Sequence, residues 1–323
     1  MSSATRSWLD GCRSGKPPRG GRRQHGLLRL REPAGRIERM PTARGSKSPA
    51  PKTAPAAKAA KPAAVKPDSK AKSPAPAKAR MSLAQAMAAL EKAGSEQTRK
   101  TYRRHGARDP MFGVSFATLK VLVKQIGVDH ELALALWDTG NHDARTLAVK
   151  IADPAKVRPA ELDRWARVQR SWMCGGYVAM LAAESAHGPA KAREWLASKD
   201  DELRLAGWML AGQLANADAG KDDKWYLELV ARIEKTIHAA PNAERYAMNG
   251  ALISMGGRSA ALRKAATAAA KKIGVVEVDH GDTSCKTPDA GPYIEKMWEF
   301  SAAKKFDSPA AQERAREPMR TRC

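Results

Sequence analysis

A long succession of helical segments is the feature that most limits what this chain can fold into. From Ser82 onward, apolar residues recur at helical spacing in segments of about 10–17 residues, nearly all ending at Gly, Asn or Pro. Aromatic residues are only 5% of the chain, and alternating runs of strand-forming residues are nearly absent. The sequence therefore predicts an all-α fold. Five tryptophans are spaced as helix-packing core residues: Trp137, Trp165, Trp195, Trp208 and Trp225.

Three of these segments resemble one another. HDARTLAVKIAD, DELRLAGWMLAG and AERYAMNGALIS each open with an acidic residue, then Arg, then small and apolar residues. Their arginines, Arg145, Arg204 and Arg245, are 59 and 41 residues apart, with SWMCGGYVAML inside the wider gap. A unit of about 30–40 residues predicts a HEAT-like helical-repeat solenoid with a concave groove. The three arginines either line that groove or cap and pair within their own repeats.

The net charge of +23 is concentrated at the N-terminus. Residues 1–80 hold about 20 Lys and Arg against 4 Asp and Glu, and residues 41–80 are a low-complexity Lys/Ala/Pro tract. Such a segment cannot bury enough apolar surface to fold, so residues 1–80 are predicted to be a disordered basic tail. The tail would neutralise DNA phosphates without reading sequence, or it is a plain solvated linker. Met40 and Met81 are both credible translation starts.

The folded domain is predicted over residues 81–303, with a flexible C-terminal tail over 304–323. The four cysteines form no CxxC pair, which favours reduced thiols in a cytoplasmic protein. No apolar run approaches about 18 residues, so no membrane span is predicted.

Two stretches, GARDPMFGVSFATLKVLVKQI and ALWDTGNHDARTLAVKIADP, carry a family resemblance. They are similar to the DNA alkylation repair glycosylases built from HEAT-like repeats, the AlkD type, over roughly residues 82–300. VDHGDTSCKTPDAGPYIEK matches a loop typical of one sub-branch. The resemblance implies a solenoid that grips duplex DNA in its concave groove. We also expect a monomer without a cofactor, in a cytoplasmic, nucleoid-associated location. The resemblance also implies excision of cationic N-alkylated purines, such as 3-methyladenine and 7-methylguanine, by hydrolysis of the N-glycosidic bond.

The resemblance leaves the activity open when it is carried over residue by residue. The carboxylate of the family falls on Gly175 in SWMCGGYVAML, so Asp143 or Glu202 would have to replace it as the catalytic group. Arg204 matches the DNA-facing arginine of the family, and Trp172 lies close to an aromatic position. Two alternatives remain: a non-catalytic HEAT-repeat binder of DNA structures, and a scaffold for an acidic protein partner.

The segment YRRHG, from Tyr102 to Gly106, combines basic groups with an aromatic residue at a helix end. It suits phosphate contact, although a solvated helix end favoured by the helix dipole has the same composition. The complete predicted set of DNA-binding residues is Arg103, Arg104, Arg145, Trp172, Arg204 and Arg245.

The polar stretch 276–289 contains residue types that bind metals or act in catalysis. Asp279, His280 and Cys285 are not accompanied by a second ligand pair, so no metal site is predicted. Cys285 as a nucleophile would depend on His280 as its base. The stretch is instead predicted to be a loop closed by side-chain hydrogen bonds to its own backbone, which docks the last helix.

Overall fold

The computed structural model describes residues 80–168, 172–217, 222–318 and 320–322, without the side chains of residues 172–175. Over these ranges the chain forms fourteen α-helices and no β-strand. Their bounds are α1 Leu83–Lys92, α2 Glu96–Arg104, α3 Phe116–Ile126, α4 His130–Asp138, α5 His142–Ile151, α6 Pro159–Arg167, α7 Trp172–Glu184, α8 Gly188–Ala197, α9 Asp201–Ala217, α10 Lys224–Thr236, α11 Asn242–Gly256, α12 Ala260–Ile273, α13 Ala290–Ala303 and α14 Pro309–Arg314. The all-α prediction is confirmed. The predicted tail over residues 1–80 lies, apart from Arg80, outside the described residues.

The helices pair into repeats that stack in two rows. Short connections join α4 to α5, α6 to α7, α8 to α9, and α10 to α11. The second helices of these pairs, α5, α7, α9 and α11, pack closely on one another in succession. The first helices meet one another through side chains, as where the Trp137 ring of α4 stacks on the Trp165 ring of α6. We call α5, α7, α9 and α11 the concave row, because the closely packed helices of a curved stack lie on its shorter, inner side. The predicted HEAT-like solenoid with a concave groove is confirmed.

Local sequence signals set the helix ends. Ser82 and Gln85 form the predicted capping box, with Ser82 N–H donating to Gln85 Oε1 at 2.9 Å and Gln85 N–H donating to Ser82 Oγ at 3.2 Å. α3 and α12 both stop at a glycine with positive φ, Gly127 and Gly274. None of the described helices is long and apolar enough to cross a membrane.

Tryptophans form much of the core between the two rows. Trp137, Trp165, Trp195 and Trp208 are all buried, and the Trp137 and Trp165 rings stack with centroids 4.3 Å apart. Their predicted packing role is confirmed. Trp225 is only partly buried, and the Arg193 guanidinium lies 4.7 Å from the centroid of its ring.

The C-terminal segment departs from the prediction. Instead of a flexible tail from residue 304, the chain forms α14, whose Ala310 and Gln312 are buried. Gln312 Oε1 accepts a 2.8 Å hydrogen bond from Ser301 Oγ of α13, and Arg320 is only 3% exposed. The prediction of flexibility is wrong for the described part of this segment, because its charged residues find partners far away in the sequence.

Candidate nucleic-acid interface

The concave-row helices run parallel, so their N-terminal ends share one edge of the solenoid. Arg145, Arg204 and Arg245 each occupy the fourth position of their helix, and Gly175 occupies the fourth position of α7. Each arginine donates its backbone N–H to the carbonyl four residues earlier, at 2.9, 3.0 and 2.8 Å respectively. The acceptors are Asn141, Asp200 and Pro241 in the same order. The predicted equivalence of the three arginines is therefore confirmed.

Arg204 uses all its N–H donors inside its own part of the protein. Nε donates to Glu244, Nη2 donates to Glu244 at 3.0 Å and to Asp201 at 2.7 Å, and Nη1 donates to the carbonyls of Ser198 and Lys199. These bonds account for the five N–H groups of a guanidinium. The hydrogen bonds that Arg204 donates to Glu244 and Asp201 raise the pKa of its guanidinium.

Glu244 completes this arrangement from the neighbouring helix α11. It is 7% exposed and also accepts a 3.0 Å hydrogen bond from Trp208 Nε1. Its charge is thus neutralised by Arg204 in a largely dry site. Arg204 ties α9 to α11 and caps the end of α8, so the geometry does not support its predicted role as a direct phosphate ligand.

Arg245 is held in a similar way. Nη1 donates to the Glu277 carbonyl at 2.8 Å, and Nη2 donates to the carbonyls of His238 and Ala240 at 3.3 and 3.1 Å. These contacts join α11 to the preceding turn and to the polar loop. For Arg204 and Arg245, the alternative of capping and pairing within the repeat fits the structure, because both guanidinium groups are occupied by neighbouring carbonyls and carboxylates.

Arg145 differs from the other two. Its Nε donates to the Trp137 carbonyl at 3.3 Å, and its guanidinium carbon lies 5.2 Å from the Trp137 ring centroid. Neither Nη atom is hydrogen-bonded to any described residue. Arg145 thus keeps the outer edge of its guanidinium available for an anion.

Asp143, a predicted catalytic candidate, is a structural residue. It is fully buried and accepts three backbone N–H groups: Phe112 at 2.7 Å, Gly113 at 2.9 Å and Val114 at 2.8 Å. Gly113 has φ of 78°, and an added Cβ there would lie 2.5 Å from the Ser95 carbonyl oxygen. The carboxylate therefore pins the α2–α3 loop onto α5. This geometry does not support the predicted catalytic role of Asp143, because the carboxylate is buried and bound by three N–H groups.

Glu202 and Trp172 are the remaining predicted site residues on this edge. Glu202 is partly exposed in the first turn of α9, where its N–H donates to Asp200 Oδ1 at 2.9 Å. Its catalytic role stays a prediction. Trp172 begins α7, but its side chain lies outside the described set, and so its predicted DNA contact also stays a prediction.

The end of α2 supplies the other predicted basic groups. Arg103 is paired with Asp109 through two 3.2 Å hydrogen bonds and lies 3.4 Å from Glu96, so its charge is largely neutralised. Arg104 is exposed, and no described residue pairs with it. Arg108, which the sequence reasoning did not select, is exposed and equally unpaired among the described residues. The sequence feature that could have identified Arg108 as a phosphate ligand is its position beside the glycine turn after α2.

Two contacts bring the end of α2 next to the start of α5. His142 N–H donates to the Pro110 carbonyl at 2.9 Å, and the rings of His142 and Tyr102 lie 5.5 Å apart. Burial lowers the pKa of His142; the Asp143 charge opposes this shift and the Arg145 charge reinforces it. We refer to Arg104, Arg108, His142 and Arg145 as the α2–α5 corner. Arg104 and Arg108 have no partner among the described residues, and neither Nη group of Arg145 is hydrogen-bonded to one, so the corner is suited to phosphate oxygens.

The polar stretch 276–289 behaves as the predicted turn-rich loop. Asp279 Oδ1 accepts from Gly281 N–H at 2.8 Å, and Thr283 Oγ1 donates to the His280 carbonyl at 2.9 Å. His280 Nε2 lies 3.0 Å from Thr287 Oγ1. Cys285 is disulfide-bonded, so the prediction of reduced thiols is wrong for this residue. In the described part of the chain, no group of three or more His, Cys, Asp or Glu is arranged to hold a metal ion.

The same loop docks along α11 as well as leading into α13. Asn242 exchanges two 2.8 Å hydrogen bonds with the backbone of Asp279, and Asn249 Nδ2 donates to the Pro288 carbonyl at 3.0 Å. The His280 ring meets the Tyr246 ring edge-on at 5.3 Å. Burial raises the pKa of Tyr246 to about 12. The loop therefore covers a face of α11 rather than presenting a reactive group.

Comparison with known proteins gives three findings. Residues 86–290 match the family described as DNA alkylation repair enzyme. The chain is 30% identical to the uncharacterized protein Lin0241 of Listeria innocua and 28% identical to the uncharacterized protein Lmo0209 of Listeria monocytogenes, and each match covers 64% of this chain and 93% of the relative. A solved structure aligns with a TM-score of 0.62 and 31% identity over 68% of this chain and 95% of its own. That protein represents a new family related to the HEAT-like repeat DNA glycosylases, with affinity for branched DNA structures.

Proposed function

The chain belongs to the DNA alkylation repair enzyme family, and from this premise we propose that it binds DNA without excising alkylated bases. The α2–α5 corner supplies the phosphate contacts, and the groove beside it accepts the DNA. The expected cytoplasmic, nucleoid-associated location and the monomeric state stay predictions.

The main support for a non-catalytic role is the position and bonding of the carboxylates near the groove. A carboxylate near the sugar assists hydrolysis of an N-glycosidic bond by stabilising the positive charge that develops there. The family position holds Gly175, the carboxylate of Asp143 is fully buried under three N–H groups, and Glu244 is bound to Arg204 and Trp208. The arrangement of these carboxylates therefore supports DNA recognition better than base excision.

We further propose that the preferred ligand is branched DNA. The support is the similar solved protein, which has affinity for branched DNA structures and aligns over nearly its whole length. A junction presents phosphates from two helical arms, and the arginines of the α2–α5 corner can contact both arms where they converge. Linear duplex DNA presents only one arm at a time.

The test uses the full chain and two substrates with the same total sequence, a four-way junction and linear duplexes. We expect tighter binding to the junction, with unlabelled polyglutamate competing poorly. Equal competition by polyglutamate would favour the scaffold for an acidic protein instead. Equal affinity for junction and duplex would remove the branch preference but not the DNA-binding function.

Excision is assayed separately on duplex DNA treated with a methylating agent. We expect no release of alkylated bases above the spontaneous rate. Gly175→Asp is the matched variant, because it places a carboxylate at the family position without touching the α2–α5 corner. Base release by the parent chain would overturn the non-catalytic assignment and direct attention to Glu202.

A further inference from the structure

The last residues of the chain return to the first repeats of the solenoid. Arg320 is 3% exposed, and its Nη1 donates to the carbonyls of Val149 and Lys150 at 2.6 and 2.8 Å. Its Nε and Nη2 both donate to Glu184, at 3.0 and 2.7 Å. Arg320 thus joins the last turn of α5 to the last residue of α7.

Lys150 makes the reciprocal contact, from α5 to the backbone of the C-terminal segment. Its ammonium group donates to the carbonyls of Arg320 and Arg322 at 2.8 and 3.1 Å, and Nζ lies 3.9 Å from the Tyr177 ring centroid. Lys150 is only 1% exposed. The two buried cations therefore hold each other's backbones in a reciprocal contact between positions 170 residues apart.

The segment leading to Arg320 follows the same edge. Arg314 Nη1 donates to the Asn216 carbonyl at the end of α9, at 3.2 Å, and Arg322 is ion-paired with Glu313. We call residues 309–318 and 320–322 the C-terminal strap. The strap meets the C-terminal ends of α9, α7 and α5 in turn, where unpaired carbonyls and the helix dipoles favour cations.

This arrangement changes the mechanics expected of a repeat protein. In an open solenoid each repeat contacts only its neighbours, so small changes at each interface alter the overall curvature. A contact from the end of the chain to α5 and α7 closes the series and limits those changes. Its edge lies opposite the N-terminal edge that holds Arg145, so the strap can act on the groove without covering it.

We propose that the C-terminal strap fixes the curvature of the concave row, and that Arg320 is thereby a positioning residue for DNA binding. The DNA part of this proposal rests on the proposed function; the bracing part does not. Arg320 contributes no phosphate contact of its own, because its guanidinium is buried against Glu184 and two carbonyls.

The experiment compares the full chain with Arg320→Ala and with the control Arg316→Ala. Arg316 lies on the same strap but is exposed, and among the described residues it pairs with Glu313 alone. Hydrogen exchange without DNA should accelerate at least tenfold at the last turns of α5 and α7 in Arg320→Ala, and remain unchanged there in the control. If hydrogen exchange in Arg320→Ala accelerated only within residues 309–322, the proposal that the strap braces α5 and α7 would be wrong.

DNA binding provides the second measurement. In Arg320→Ala the affinity for DNA should fall about tenfold, while the slope of log affinity against log salt stays that of the parent. A lower slope would mean that Arg320 contacts phosphate directly, and an unchanged affinity would remove its positioning role. If Arg320→Ala does not fold, Arg320→Lys, which retains the charge but not the fork of donors, is measured by the same criteria. If the parent chain bound no DNA, the proposed function would be wrong. The hydrogen-exchange result would still show whether the C-terminal strap braces α5 and α7.

Discussion

Replacing Arg204 with Ala is expected to destabilise the protein and to leave its phosphate contacts intact. The substitution removes the donors that reach Glu244, Asp201 and the end of α8. Glu244 remains behind, 7% exposed, and among the described residues of α9 keeps the hydrogen bond from Trp208 Nε1. The main cost is therefore a buried carboxylate without its cation.

The magnitude follows from the burial of both partners. Removing one member of a buried ion pair costs about 3–5 kcal/mol. The Arg204 side chain is 21% exposed, so water can partly replace it beside Glu244. We expect the free energy of unfolding to fall by about 2–4 kcal/mol. Arg145→Ala is the matched comparison: it loses one long hydrogen bond and a cation–π contact, about 1 kcal/mol.

Two assays separate the two arginines. Urea unfolding followed by tryptophan fluorescence measures stability, with the slope of the transition checked for loss of two-state behaviour. DNA binding measured from low to high salt reports the number of phosphate contacts. Arg145→Ala should lower that salt slope by about 1, and Arg204→Ala should leave it unchanged.

The reverse pattern would refute this reasoning. If Arg204→Ala kept its stability within about 0.5 kcal/mol and lost a unit of salt slope, its guanidinium would be a phosphate ligand. The bonds to Glu244 would then exchange for phosphate on binding.

Three further outcomes are expected. Asp143→Asn should lower the free energy of unfolding by about 2–4 kcal/mol, because an amide cannot accept all three N–H groups of residues 112–114; a stable variant would contradict the pinning role. Deleting residues 1–79 should reduce the salt slope of DNA binding, and an unchanged slope would leave the tail as a linker. The folded-state pKa of His142 is lowered, so the unfolded chain binds its proton first and stability should fall as the pH drops below about 6.5. His142→Gln should flatten that part of the pH profile measured by thermal unfolding; an unaltered profile would assign it to other groups.

Sequence reasoning reached the fold because its signals are local. Helical spacing, the capping box at Ser82 and the glycines that end α3 and α12 act over a few residues, and they appear directly in the amino-acid order. The repeated position of Arg145, Arg204 and Arg245 was also visible, because each repeat encodes the same register. These signals together determined an all-α repeat protein and a family.

Tertiary structure alone decided what each charged group does. Arg204 is hydrogen-bonded to Glu244, which lies 40 residues later in the sequence. Asp143 is hydrogen-bonded to the loop at residues 112–114, and Arg320 to Glu184, which lies 136 residues earlier. Whether a charge is free for DNA or occupied within the protein depends on which partners packing brings within hydrogen-bond distance. The three arginines thus occupy equivalent positions in their helices, but among them only Arg145 has both Nη groups without a hydrogen bond to a described residue.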